Sequence, residues 1–194
     1  MSEIDQVAGY RNGRRLATYP LSHQIFRLSW LFTWWLLASW TPAQLAPWRR
    51  LLLRMFGANI ANTAMIYGTA RVWYPPNLIM EDYSAIGPGV IVYCMDRITL
   101  EYHAVVSQRA HLCGGTHDID DPQRPLLASP IVIGREAWIA AEAFVGPGVT
   151  VGEGVVLGAR GVATKNLTPW AVYAGNPAKL LRTRKPYGDS QEVI

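Results

Sequence analysis

Cysteine and charge are both scarce in this chain. Its two cysteines, Cys94 and Cys113, form no spacing motif. That excludes a disulfide framework and a zinc knuckle and fits a reducing, cytoplasmic setting. Only 16% of the 194 residues are charged and 50% are hydrophobic, the reverse of the balance that keeps a chain disordered. The opening "MSEIDQVAGYRNGRR" carries acids and no early apolar run, so it does not read as a signal peptide. Also missing is a basic stripe on the main body. Residues 1–56 carry +5, residues 57–170 carry −3 and residues 171–194 carry +2. Positive charge confined to the two ends argues against a nucleic-acid partner.

What the chain has is a period of six. Ile133, Ile139, Val145, Val151, Leu157 and Ala163 follow one another at that step. Each is followed by a small residue: Gly134, Ala140, Gly146, Gly152, Gly158, then Thr164. A helix repeats near 3.6 and a strand at 2. A six-residue step fits a short strand plus a corner, with one aliphatic side chain inward and glycine expected to supply the backbone angles of the corner. Three such sides close a coil. The beat continues upstream through Ile60, Ile66, Val72 and Leu78, then Met80, Ile86 and Val92, then Leu100, Val106 and Leu112, with two-residue slips between the groups. The fold expected is mainly β, a parallel β-helix of about five coils over 57–170, with an N-terminal helical segment at 1–56 and a short C-terminal tail at 171–194.

The run "IVIGREAWIAAEAFVGPGVTVGEGVVLGARGVATKNLTPWAVYAGNPAKLLR" resembles the hexapeptide-repeat acyltransferases. The similarity is strongest to sugar O-acetyltransferases of the maltose, galactoside, nodulation-factor and colanic-acid type. It covers residues 57 to 182, and the "GTHD" and "GNPAK" elements make it specific. The resemblance implies a left-handed coil, a homotrimer with active sites between neighbouring prisms, acetyl-CoA as co-substrate and a sugar or sugar conjugate as acceptor, in bacterial polysaccharide assembly.

One stretch breaks the beat. "HLCGGTHDIDDPQRPLLASP", residues 111 to 130, inserts about sixteen residues, 115 to 130, that cannot stay in the wall. Projecting loops of this length tend to be functional. His117 stands where the chain leaves the wall, and imidazole accepts a proton near neutral pH. The family's catalytic base, the histidine of its "TH" element, falls on His117. Asp96 and Asp118 are the carboxylates near enough to hold its other ring nitrogen or to bind acceptor. The family pattern assigns Trp138 to the thioester end and the acceptor, and the Ala141 N–H to the developing oxyanion. It assigns Ala141, Ala159, Thr164, Lys165, Lys179 and Arg182 to the acetyl-CoA groove, with the cationic tail suited to phosphates.

Three rival readings stand beside this one. Cys113 invites a covalent nucleophile, although a packed corner thiol is the blander reading. His103, His111 and His117 invite a zinc-dependent hydratase of the same repeat class, but the ligand spacing is not matched and no metal is expected. A non-catalytic trimeric repeat protein would not need His117.

The N-terminal quarter holds five of the eight tryptophans, between positions 30 and 48. The uncharged stretch from Leu28 to Trp40 is thirteen residues, short of the ~20 that cross a bilayer. In "PWRRLLLRMFG", Trp48, Leu51, Leu52 and Met55 fall on one helical face, Arg50 and Arg54 fall elsewhere, and Gly57 suits a C-cap. The segment is expected to cap the open end of the coil. The alternative is a peripheral dock on the inner membrane, with tryptophan in the headgroup zone and arginine facing anionic lipid.

Overall fold

The computed structural model describes residues 19–186, together with the backbone of two short strands, Tyr10–Arg11 and Arg14–Arg15. The body is a three-sided parallel β-helix of five complete coils and two sides of a sixth. The first face stacks Asn59–Ile60, Leu78–Met80, Ile98–Leu100, Ile131–Ile133 and Thr150–Val151. The second stacks Met65–Ile66, Ala85–Ile86, Val105–Val106, Trp138–Ile139, Val156–Leu157 and Ala171–Ala174, and ends with the antiparallel strand Lys179–Thr183. The third stacks Arg71–Val72, Ile91–Tyr93, His111–Cys113, Phe144–Val145 and Val162–Ala163.

The six-residue step is the register of this stack. Ile66, Ile86, Val106, Ile139 and Leu157 lie directly above one another on the second face, all buried. Matching ladders run through Met80, Leu100, Ile133 and Val151 on the first face and through Val92, Leu112 and Val145 on the third. Apolar burial along these ladders is the main stabilising term, about 1.5–3 kcal/mol for each fully buried aliphatic side chain.

The corners differ from expectation in their physical reason. Gly134 does not take a left-handed angle. It is small because the next coil passes over it: a Cβ there would lie 2.7 Å from the Val151 carbonyl oxygen. The left-handed residue comes two positions later, at Glu136 (φ 57°), Glu142 (φ 60°) and Arg160 (φ 57°). Each of these donates its N–H to a carbonyl on the coil below, as Glu142 does to Gln108 at 3.0 Å.

Two helices close the base: α1, Leu21–Leu37, and α2, Ala46–Met55. The N-terminal helical segment expected from sequence is present, and Gly57 ends α2 at φ 88°. The helical face of α2 is corrected. Ala46, Arg49, Leu52 and Leu53 face inward, whereas Trp48, Leu51 and Met55 are exposed. The reason lies in the first coil. Within the wall, N–H groups of each coil donate to carbonyls of the coil above: Ala61 to Met80, Met65 to Ser84, Tyr67 to Ile86, Arg71 to Val90 and Trp73 to Val92. The equivalent first-coil carbonyls have no coil beneath them, and side chains of the cap take its place. Arg54 Nε donates to Ile60 O (2.8 Å), Arg50 to Ala64 O (2.9 Å) and Arg49 to Ile66 O (2.6 Å). The indoles of Trp34 and Trp30 donate to Ala70 O (3.0 Å) and Val72 O (2.7 Å). The three arginines expected to face anionic lipid are therefore turned onto backbone. Arg49 is wholly buried and also reaches Thr41, Pro42 and Ala43.

Candidate active site

The slips in the beat and the long loop share one edge. Coil one carries the turn Pro75–Asn77 between the third and first faces, and coil two carries Cys94–Arg97 at the same corner. Coil three carries residues 114–130 there. The layers are tied together: Asn77 Nδ2 donates to Met95 O at 2.9 Å, and Gly114 N donates to Tyr93 O at 3.0 Å. The loop leaves as a two-stranded antiparallel arm, with Gly115–His117 paired to Leu126–Ala128 and His117 opposite Leu126.

His117 therefore stands on an ordered strand, exposed, beside the tip of the arm. Its Nδ1 lies 2.8 Å from the carbonyl oxygen of Arg124. A carbonyl only accepts, so Nδ1 carries a proton, and in the neutral imidazole the lone pair is on Nε2. Neither carboxylate expected to orient the ring does so. Asp118 Oδ1 accepts from Asp120 N at 3.0 Å, and Asp96 Oδ1 accepts from Arg97 N at 2.6 Å. Both are turn-formers.

Cys113 is half-buried, its thiol turned to Gly115 O at 3.3 Å. Cys94 is fully buried under Tyr74, and burial pushes its thiol up to about 11, away from nucleophilic use. His111 stands edge-on to Phe144, and burial lowers its pKa. His103 lies among Tyr83 and Tyr102. Among the described residues, no three His, Cys, Asp or Glu side chains gather as a metal-ligand set.

The remaining expected residues fall on two separate strips. Trp138 projects from the second face, and its indole donates to Ser107 Oγ at 2.8 Å. Lys179 and Arg182 lie on the outer strand of that face. Ala141 and Ala159 stack one coil apart at its edge toward the third face, where Arg160 N donates to Ala141 O at 2.9 Å. The N–H groups of Ala141 and Ala159 meet no acceptor among the described residues. Thr164 and Lys165 belong to the other strip, the corner that also bears the His117 arm two coils below. The third face separates the strips, so one chain does not unite His117 with Trp138 and Ala141. A shallow depression of about 280 Å³ lies between His103, Trp138, Glu136 and Arg184, away from His117.

Sequence reasoning missed a charged column beside the alanines. Glu142 bridges Arg109 (2.5 Å) and Arg160 (2.6 Å), and the two guanidiniums hold its carboxyl below the usual range. These are the left-handed corner positions. A hexad count aimed at inward residues passes over them.

No family model matches the chain. It is 41% identical over 155 residues to WcaF of Escherichia coli, which carries the name of a colanic acid biosynthesis acetyltransferase; the match covers 78% of this chain and 85% of that one. A shorter stretch of 59 residues is 49% identical to a chloramphenicol acetyltransferase of Agrobacterium fabrum, covering 30% of this chain and 28% of the other. Among solved structures, a maltose O-acetyltransferase from Clostridium difficile aligns with a TM-score of 0.74 at 21% identity, over 86% of this chain and 90% of that one. A galactoside acetyltransferase in complex with coenzyme A aligns with a TM-score of 0.76 at 19% identity, over 88% and 86%.

Proposed function

Because the chain belongs to the hexapeptide-repeat acetyltransferases, we propose that it moves an acetyl group from acetyl-CoA to a sugar hydroxyl, with His117 as general base. The observation that carries the reading is the Arg124 carbonyl on Nδ1, which leaves the Nε2 lone pair free on a rigid strand. As the sugar oxygen attacks the thioester carbonyl, Nε2 takes the hydroxyl proton. The tetrahedral oxyanion then collapses, the C–S bond breaks, and the departing thiolate takes the proton back from the imidazolium. The unpaired Ala141 N–H is a suitable oxyanion donor.

Acetyl-CoA fits the strip of Trp138, Ala141 and Ala159. Small side chains there let the pantetheine arm approach backbone, and Lys179 and Arg182 offer charge for phosphates. Thr164 and Lys165 would meet the cofactor from the arm-bearing edge. The width of the third face between His117 and Ala141 supports a homotrimer in which each site joins the arm-bearing edge of one prism to the alanine strip of its neighbour. In the sugar reading Asp96 and Asp118 serve the acceptor, and the resemblance to WcaF favours a sugar of an exopolysaccharide.

The test is release of free CoA from acetyl-CoA in the presence of nucleotide-linked and lipid-linked sugars. His117→Ala should lower kcat by about 10²–10⁴ with acetyl-CoA affinity retained. Near-normal turnover in a folded His117→Ala enzyme would remove the assignment.

A further inference from the structure

The cap has a second side. On α1 the stripe Leu21, Ile25, Leu28, Phe32 and Trp35 faces away from the coils, at steps of four and three. On α2 the stripe is Trp48, Leu51 and Met55. Trp48 Nε1 donates to Leu37 O at 2.8 Å, so the two stripes join. Each of these side chains is more than a third exposed. At 150–250 Å² for a large side chain, the patch is on the order of 1,000 Å². The largest patch on an ordinary monomer is a few hundred Å².

We propose that this face lies in the interfacial layer of a lipid bilayer, held by apolar insertion and not by charge. Three observations choose lipid over a protein. First, the stripe is uncharged. Arg27 is the one charged residue between positions 20 and 48, and its guanidinium lies 4.0 Å above the Trp73 ring, toward the prism. Arg49, Arg50 and Arg54 are committed to first-coil carbonyls. Protein interfaces carry about one hydrogen bond per 100–200 Å² and a polar rim. Second, three polar groups beside the stripe are satisfied within the cap. Ser29 Oγ donates to Phe26 O (2.7 Å), Ser39 Oγ to Trp35 O (2.8 Å) and Trp40 Nε1 to Leu36 O (2.7 Å). Internal satisfaction is what a medium without water demands. Third, Trp35, Trp40 and Trp48 gather where α1 ends and α2 begins, and tryptophan favours the headgroup level. The helix lies on the membrane and does not cross it. Its 17 residues span about 25 Å, its other face is fixed to the prism by Trp30 and Trp34, and no described helix is long and apolar enough to cross.

Flotation of the full chain with neutral phosphatidylcholine vesicles, and in parallel with anionic vesicles, tests this at about 0.05 and about 0.5 M salt, across which charge attraction is strongly screened. The wild type should float equally at both salts, and brominated phosphatidylcholine should quench its tryptophan emission. Phe32→Glu/Trp35→Glu should cut partitioning by at least about tenfold, while circular dichroism, oligomeric mass and turnover of a water-soluble acceptor stay the same. Three outcomes overturn the proposal: no flotation of the wild type, flotation only with anionic vesicles and lost at high salt, or a change in oligomeric mass in the variant. The last would make the stripe a contact between copies of this chain.

Discussion

The repeat stops at two places, the base and the arm-bearing edge, and they are filled differently. At the base the first coil lacks a neighbour below. Arg54, Arg50, Arg49, Trp34 and Trp30 stand in for its N–H groups at five carbonyls. Each of these side chains is committed to a backbone carbonyl. At the edge, the inserted residues make their own ladder from Gly115–His117 to Leu126–Ala128, and the Arg124 carbonyl meets one ring nitrogen of His117 while the other meets no partner among the described residues. An interruption that only completes hydrogen bonds is structural. One that spends its bonds to hold a lone pair free can do chemistry.

The comparison breaks first at the arm. Replacing residues 119–124 with a shorter turn removes the Arg124 carbonyl while leaving His117 in place. If His117 is the base, as proposed, the expected loss in kcat is about 10²–10⁴, as large as for His117→Ala, because the imidazole loses its tautomer and aim. Stability should barely change, since the replaced residues are mostly exposed and lie outside the core ladders. Stopped-turnover assays beside thermal melts separate the two effects. A shortened arm that keeps full activity would mean that the carbonyl does not matter.

Arg49→Ala should do the opposite. It strips donors from Ile66, Thr41, Pro42 and Ala43 in a dry site. Each buried acceptor left unpaired costs about 1–3 kcal/mol. Denaturant melts should register that loss, with kcat preserved in whatever fraction stays folded. A stable but inactive Arg49→Ala protein would move the base from scaffold to site.

The two interruptions were not equally legible. The inward ladder could be read residue by residue, because burial selects aliphatic side chains at a fixed step and glycine marks the close pass of Gly134 under Val151. The arm and His117 could be read for the complementary reason: an excursion from a strict period is visible against it. The arginines of α2 could not. A helical-face count sends charge to solvent, whereas three stranded first-coil carbonyls hold the arginines against the coil, and main-chain demand leaves no mark in side-chain hydropathy. The orienter of His117 is hidden for the same reason. A backbone carbonyl seven residues away has no residue identity to find.

A smaller effect separates cap from wall by pH. His23 stacks on Tyr19 at 4.3 Å, and burial first, then Arg27, lowers its pKa. A histidine whose pKa is lower folded than unfolded favours the unfolded chain when protonated. Its contribution is complete above the unfolded value of about 6.5 and is lost as pH falls below that. Melting temperature should decline from there toward acid, and His23→Phe should flatten part of the decline. His111 shifts in the same direction, so the readout is the difference between the wild-type and His23→Phe slopes. An unchanged slope would exclude His23 as a source of acid sensitivity in the cap.

The smallest expected change concerns the carboxylates that sequence placed beside the proposed base. Asp118→Asn keeps an oxygen for the Asp120 amide, and Asp96→Asn keeps one for Arg97, so both turns survive. Because the ring is held by Arg124 O, neither substitution should disturb the imidazole tautomer. Turnover at saturating acceptor should stay within about threefold of wild type, since no interaction specific to the transition state is removed. If either carboxylate instead binds acceptor, its loss should appear as a raised KM for the sugar with kcat retained. A fall in kcat of about 10² or more in either variant, with the fold intact, would mean that the carboxylate moves onto the imidazole in the working enzyme. The edge would then share its machinery between backbone and side chain, as the base does.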